Sequence, residues 1–304
     1  MNQGPITDTT DFFALDCGAE IRIGERTYRI TGYEKEQRFG MEDPKYWVKR
    51  AVDTATGEHK IIKLAFFESF QTSLAGVKIK CFRDPDKEGA ILEQMRGNPA
   101  FMQGEAFHDE KGNNIRVLER VRGVNFYTRL EAMQMAHEKY FFECFPAILK
   151  KLGQAFEAIE NLHALGFRHG DIRNDHIIVE AGTDNYVWID FDYDYHAPEN
   201  PFSLDLCGMG NILLYGAGMG FYDIYMIASD TGRYKDALDR LDTGDFSIID
   251  KSRLMNLKKI FPYIPDELNN ILLHFSRKSE IFYENTGELL EDLYRAVASL
   301  NKEE

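Results

Sequence analysis

Two acids and a histidine stand out in HGDIRNDHIIVEAGTDNYVWIDFDYD, residues 169–194. Asp171 lies in a polar turn, His176 opens the apolar run HIIVE, and Asp190 closes the apolar run YVWID. A carboxylate can take a proton from a hydroxyl or hold a hard divalent cation through oxygen. A neutral imidazole can ligate a divalent ion or fix a neighbour by hydrogen bonding. Both runs are strand-like, and the turn AGTDN joins them. Paired positions in an antiparallel hairpin have a constant sum, so a turn centred on Thr183 pairs Val179 with Val187 and His176 with Asp190. Asp171 then lies in the loop just ahead, and three polar groups meet at the open end of a two-stranded ribbon.

Other elements must hold that ribbon in place. YWVKRAVDTATGEHKIIKLAF has two β-rich runs around TATGE and reads as a hairpin. DPDKEGAILEQM carries Ala90, Ile91, Gln94 and Met95 at helical spacing and is closed by RGNP. FMQGEAFHDEKGNNIRVLERV reads as a second hairpin with DEKGNN as its turn. After Gly123 the pattern becomes helical. FPAILKKLGQAFEAIENLHALGF puts Ile148, Leu149, Leu152, Phe156, Ile159, Leu162 and Leu165 on one stripe, with Pro146 in the first turn and Gly166 at the end. ENTGELLEDLYRAVASL repeats the pattern, and Asn285 with Glu288 resembles a capping box.

The 304 residues carry a formal charge of -14, so there is no basic excess to neutralise nucleic-acid phosphates. The four cysteines are scattered, with no CxxC pair, which favours reduced thiols in a cytoplasmic protein. The start MNQGPITDTTDFF has neither a basic nor an apolar region of a signal peptide. The glycine-broken stretch CGMGNILLYGAGMGFYDIYMIA reads as a buried helix rather than a membrane span. Neither nucleic acid nor membrane is expected as a partner.

The motifs, taken in order, resemble the protein-kinase-like superfamily, nearest to bacterial eukaryotic-type Ser/Thr protein kinases. HGDIRNDH is similar to the catalytic loop H-R-D-x-x-x-x-N, and IDFD to D-F-G. YRITGY and AVDTATGEHKIIK resemble the first strands, placing Lys63 as the phosphate-binding lysine. KEGAILEQM resembles the helix whose glutamate pairs with it, here Glu88. VLERVRG resembles the hinge strand that receives adenine on its backbone, here around Glu119 and Val121. SLDLCGMGNILLYGAG resembles a buried helix whose aspartate, Asp205, supports the catalytic loop together with His169. FYENTGELLEDL resembles the final helix of the bacterial enzymes.

The resemblance implies an α+β, two-lobed fold: a small antiparallel β lobe with one helix at 28–118, a hinge at 119–123 and a helical lobe at 124–304, preceded by an extension at 1–27. It implies ATP as phosphate donor and Mg²⁺ or Mn²⁺ as metal. Asp171 would orient or deprotonate an acceptor hydroxyl. Arg173 stands where protein kinases place a lysine near the transferred group. Asp190 would hold the metal.

Three features depart from the pattern. The glycine-rich loop is missing, and in YEKEQRFGMEDPKY only Gly40 offers the backbone freedom to approach a phosphate. His176 replaces a metal-binding asparagine, so the second metal is lost, or a softer ion is tolerated, or Asn174 or Asp192 substitutes. Asp192 replaces the glycine of D-F-G, and only fifteen residues separate Asp190 from Asp205. That shortness resembles choline, ethanolamine and aminoglycoside kinases. Three functions follow as expectations: a protein kinase, a kinase of a small hydroxyl-bearing molecule, or a pseudokinase that binds nucleotide or scaffolds a partner.

Overall fold

The computed structural model describes residues 4–38, 41–279 and 282–300, leaving aside the side chains at 36–38, 41, 42, 231 and 235. In chain order the strands and helices are β1 (Glu20–Ile23), β2 (Arg26–Arg38), β3 (Met41–Asp53), β4 (His59–Leu64), β5 (Ser69–Leu74), β6 (Val77–Arg83), α1 (Pro85–Gln94), β7 (Gly104–His108), β8 (Asn114–Glu119), β9 (Gly123–Asn125), α2 (Phe126–Glu131), α3 (His137–Glu143), α4 (Phe145–Ala164), β10 (Ile177–Glu180), β11 (Tyr186–Trp188), β12 (Tyr193–His196), α5 (Ser203–Gly218), α6 (Ile224–Ser229), α7 (Thr231–Leu238), α8 (Asp266–Leu273) and α9 (Thr286–Leu300). The chain divides into two compact units, one of Met1–Ser69, Phe82–Arg122 and Ile189–Asp194, the other of Phe70–Cys81, Gly123–Trp188 and Tyr195–Glu304.

The first unit is built on a six-stranded sheet of order β1-β2-β3-β4-β8-β7. Successive side chains of a strand point to opposite faces. Ile62 and Leu64 of β4 therefore enter a core with Ile21, Tyr28, Ile30, Ala51, Ile115 and Val117, and Lys63 between them faces the other way. Leu15 is fully buried in the same core and Ile6 bridges to Ile21, so the first 27 residues contribute packing as well as a lead-in. Burying a leucine side chain contributes about 2 kcal/mol. Helix α1 starts at the N-cap Asp84, whose carboxylate accepts from the amides of Asp86 and Lys87, with Pro85 in its first turn. It lies close to β7 because Gly89 has no side chain: a Cβ there would come within 2.9 Å of Ala106 Cβ.

YEKEQRFGMEDPKY was placed between the first two strands, and its described residues are themselves strand. The β2–β3 ladder runs from Tyr28↔Asp53 to Arg38↔Met41, with irregularities between Ile30 and Gly32 and between Tyr33 and Glu34. Alternating charged and polar residues suit a solvated two-stranded ribbon, and ladder bonds satisfy amides that a phosphate loop would leave open. Gly40 lies outside the described residues. A second departure is the hairpin β5–β6, which reverses through Ala75 and Gly76, both at positive φ (51° and 86°). It belongs to a three-stranded sheet of order β12-β6-β5.

The second unit is mainly helical, with α4 packed against α3, α5 and α9. Helix α4 buries Ile148, Leu149, Leu152, Phe156, Ile159 and Leu162 as its periodicity predicts, but Leu165, expected on the same stripe, is exposed at the C-cap where the helix has ended. Gly166 follows at φ +83°. At α9 the expected capping box is half formed. Asn285 accepts from the Glu288 amide at 3.0 Å, but Glu288 accepts from the amide of Glu284 rather than that of Asn285. A three-stranded sheet of order β11-β10-β9 lies beside α4, where the Trp188 indole N–H donates to the Ala155 carbonyl at 2.8 Å. At Gly123 of β9 a Cβ would come within 2.2 Å of the Val179 carbonyl, so only glycine fits against β10 there.

The register of β10 with β11 differs by one residue from the expectation. Ile178 pairs with Val187 and Ile177 with Trp188, so the ladder does not pair His176 with Asp190. The cause is the turn. Glu180 and Asn185 close a four-residue loop, with Gly182 and Asp184 at positive φ (90° and 53°), in place of the five-residue turn centred on Thr183. Among the described residues, no helix is long and apolar enough to cross a membrane.

Candidate functional site

Each unit gathers polar side chains that the sequence singled out. In the first, strand alternation turns Lys63 away from the core, and helix α1 turns Glu88 toward it. Lys63 Nζ lies 2.8 Å from Glu88 Oε1, 2.6 Å from Asp190 Oδ1 and 3.1 Å from Asp192 Oδ2. Burial by itself would lower the Lys63 pKa, but Asp190, Asp192 and Glu88 outweigh it and raise it above the ordinary lysine value. The three carboxylates around Lys63 thus favour its charged form. Asp190 takes a left-handed backbone conformation, φ +70°, which aspartate tolerates better than most residues. Its second oxygen, Oδ2, lies 3.6 Å from Lys45 Nζ on β3.

Two arginines complete this group. Arg116 on β8 donates through Nε to Glu88 Oε2 at 2.9 Å. Arg83 at the end of β6 donates through Nη1 to Asp192 Oδ1 at 2.7 Å and stacks its guanidinium 4.1 Å from the Tyr193 ring centre. Both arginines, Glu88 and Asp192 are almost wholly buried. Asp192, weighed from the sequence as a metal ligand, has its carboxylate oxygens 2.7 Å from Arg83 Nη1 and 3.1 Å from Lys63 Nζ. Backbone bonds tie the same segment to α1: the Asp84 amide donates to the Asp192 carbonyl at 2.6 Å, Lys87 Nζ to the Tyr193 carbonyl, and the Phe191 amide to Glu88 Oε1 at 3.2 Å. Glu119 ends β8 opposite Lys60, its amide donating to the Gln103 carbonyl at 2.8 Å. Val121 follows in the link before β9.

In the second unit, Asp205 of α5 is fully buried and accepts from the amides of His169 and Gly170 at 2.7 and 2.9 Å. Its Oδ2 also lies 2.9 Å from His163 Nε2, whose other nitrogen contacts Thr286 Oγ1 at 2.9 Å. Burial would raise the Asp205 pKa, but the hydrogen bond and charge of His163 prevail and hold it below the usual carboxylate value. The turn that follows places the Asp171 amide 3.3 Å from His169 Nδ1. His176 Nδ1 lies 2.8 Å from the Asp171 carbonyl and 3.5 Å from Asp171 Oδ2. A carbonyl only accepts, so Nδ1 carries the hydrogen and Nε2 has the lone pair in the neutral ring. His176 thus braces the backbone that presents Asp171. Arg173 forms a two-pronged pair with Asp175, at 3.0 and 2.5 Å, and stands 3.9 Å from Asp171 Oδ2.

The approach of α5 to this loop depends on glycine. A Cβ on Gly208 would come within 2.6 Å of both the carbonyl and the Cβ of Ile172, the residue after Asp171. One turn from Ile159, His163 falls on the buried face of α4, a periodic signal that could have identified it. Arg116 interrupts the apolar run I-R-V-L and was equally visible. Lys45 and Arg83 sit among other surface-like basic residues and carried no such signal.

Among the described residues, no three His, Cys, Asp or Glu side chains are grouped to hold a metal unaided. The donors nonetheless suit Mg²⁺ or Mn²⁺ with a polyphosphate. Such ions are ordinarily held by one or two carboxylates plus phosphate oxygens, and Asp190 offers a hard carboxylate beside two ammonium groups.

The chain matches no protein-family model and no curated protein. Among solved structures it is similar to a cysteine-to-alanine mutant of the PknI kinase domain from Mycobacterium tuberculosis. That match has a TM-score of 0.52 and 10% identity, and covers 91% of this chain and 97% of the other. The fold is therefore the α+β, protein-kinase-like one that the motifs imply.

Proposed function

We propose that the chain is an ATP- and divalent-metal-dependent phosphotransferase that moves the γ-phosphate of ATP to a hydroxyl, with a serine or threonine side chain of a protein as the first-ranked acceptor. One observation carries the reading: a single buried lysine, Lys63, contacts both Glu88 and Asp190, at 2.8 and 2.6 Å. Phosphoryl transfer needs mainly positioning and charge neutralisation. Lys63, held by Glu88, would neutralise the α- and β-phosphates. Asp190 would hold the divalent ion, which when bound supplies charge stabilisation to the phosphate oxygens. The acceptor hydroxyl gives its proton to Asp171 while its oxygen forms the new bond to the γ-phosphorus. The bond from that phosphorus to the β–γ bridging oxygen breaks, and ADP leaves with the electron pair. Arg173, close to Asp171, would offset charge on the transferred group. The backbone around Glu119 and Val121 would receive adenine.

A small hydroxyl-bearing molecule is the second reading. It is favoured by the short run from Asp190 to Asp205, of which Tyr193–His196 is already strand, leaving little chain to present a peptide.

Isothermal titration with ATP and Mg²⁺ or Mn²⁺, then γ-phosphate transfer to generic proteins, amino alcohols and aminoglycosides, tests the proposal. Asp190→Ala is expected to lose metal-dependent ATP binding, and Asp171→Ala to keep binding but lose turnover about 10³-fold. Turnover that survives Asp171→Ala would remove that residue's role. Absence of any nucleotide binding leaves only the scaffolding function.

A further inference from the structure

We propose that Lys45 is a second phosphate-binding residue, supplying by side chain a contact that the described residues of the β2–β3 hairpin do not offer by backbone. The inference rests on the nucleotide-binding reading above and deepens it. Lys45 and Lys63 come from adjacent strands, and their ammonium groups bracket one carboxylate: Lys63 Nζ at 2.6 Å from Asp190 Oδ1, Lys45 Nζ at 3.6 Å from Asp190 Oδ2.

The two contacts are not equivalent. Lys63 is 5% exposed and shared among three acids, whereas Lys45 keeps 16% of its side-chain surface open and stands at the longer distance. A buried ammonium shared among three acids is fixed, while a partly exposed one at 3.6 Å can re-aim by a small rotation of its flexible stem. The ladder explains why a side chain is needed. From Glu34↔Lys45 through Arg38↔Met41 the backbone is paired strand to strand, and Pro44 has no amide hydrogen to offer. The backbone cradle that binds phosphate in a glycine-rich loop has no counterpart among the described residues of this hairpin.

Charge arithmetic points the same way. When a divalent ion neutralises Asp190, the ammonium facing Oδ2 loses its attraction and faces a cation instead. An anion beside that ion relieves both repulsions, and the terminal phosphates of a nucleoside triphosphate carry that charge. Lys45 would then favour triphosphate over monophosphate, because it reaches the metal-bound end of the chain of phosphates.

The experiment is calorimetric titration of the full chain with ATP and with AMP, each with excess Mg²⁺, for the wild type, Lys45→Met and Lys45→Arg. The expected result is an ATP affinity at least about tenfold weaker in Lys45→Met, equal to about 1.4 kcal/mol. AMP affinity should change less than twofold, and Lys45→Arg should regain most of the loss. Equal weakening for ATP and AMP, or no change for either, overturns the role of Lys45 while leaving nucleotide binding intact. A wild type that binds neither nucleotide overturns both the role and the reading beneath it. Unliganded melting temperatures of the variants within a few degrees of wild type separate lost contact from lost fold.

Discussion

Lys63 and Arg116 face each other directly across the β4–β8 ladder, and Glu88 bridges them, one carboxylate oxygen to each. Like charges opposite each other in a sheet are destabilising, and both side chains are buried. Glu88 is the acid that touches both cations, while Asp190 and Asp192 also flank Lys63 and Asp192 stands 3.7 Å from Arg116. The lysine is thus held by an electrostatic sandwich rather than by a single ion pair.

Removing that acid should expose the cost. Glu88→Gln keeps the shape but removes the acid shared by the two cations, leaving Asp190 and Asp192 beside them, and a broken buried pair costs about 3–5 kcal/mol. Denaturant titration is expected to show a loss of that size, whereas Arg116→Met with Glu88 intact should lose less, because Lys63 still pairs with the glutamate. Equal stability of Glu88→Gln and wild type would mean that the bridge is not formed in solution.

How much of this was legible follows from what spacing encodes. Periodicity marked KIIKL as a strand and KEGAILEQM as a helix, whereas the meeting of Lys63 with Glu88 was implied by the resemblance rather than by spacing. Neither set the register. Whether the turn at Ala181–Asp184 takes four or five residues depends on two positive-φ positions, Gly182 and Asp184, and only the first is a glycine. That one residue separated the expected pairing of His176 with Asp190 from the ladder observed. Lys45 was hidden for a different reason: it lies in the stretch placed between the first two strands, so its partner across β2 and its reach toward Asp190 had no geometric basis in the sequence. Arg83 lay on a strand not foreseen, because SFQTSLAGVKIKCFR is too polar to resemble a core hairpin.

Asp192 provides the next test. It stands where the resembling family places glycine, yet its carboxylate accepts from Arg83 at 2.7 Å and lies 3.1 Å from Lys63, almost entirely buried. Introducing that glycine should therefore harm the molecule. Asp192→Gly leaves buried Arg83 with the partly exposed Glu68, 3.1 Å away, as its remaining close acid and is expected to lower the denaturation midpoint by the equivalent of about 3 kcal/mol. Asp192→Asn, which keeps an acceptor for Arg83, should lose less. A glycine variant as stable as wild type would show that the Arg83 pair contributes nothing.

Two glycines of α5 separate catalytic positioning from packing. An added methyl at Gly208 meets the Ile172 backbone and side chain at 2.6 Å, and one at Gly210 meets the Phe275 ring at 2.5 Å. Both are overpacking changes of about 1–3 kcal/mol. Only the first presses on the turn that carries Asp171. Gly208→Ala is expected to reduce phosphate transfer well beyond its loss of stability, and Gly210→Ala to lose stability with turnover per folded molecule little changed. Activity assays normalised to folded fraction decide it; parallel behaviour of the two variants would contradict the positioning role of Gly208.

The last prediction concerns pH and a histidine remote in sequence from the chemistry. The ring of His137 lies 3.6 Å above Phe261 and nearly parallel to it, with Nε2 2.9 Å from the Ala217 carbonyl and Nδ1 2.7 Å from the Tyr263 hydroxyl. The carbonyl only accepts, so Nε2 carries the hydrogen and Nδ1 accepts from Tyr263. The neutral ring satisfies both contacts. Burial lowers its pKa from 6.5 to about 4; the bond to Ala217 opposes the shift and nearby Arg233 adds to it. Between those two values the unfolded chain binds a proton that the folded chain refuses. Its contribution to stability is therefore complete above about pH 6.5 and is lost as pH falls toward 4. Denaturation midpoints measured from pH 7 to pH 4 should fall more steeply for wild type than for His137→Gln, which has no ring proton to gain. Parallel curves would mean that His137 titrates normally in the folded protein.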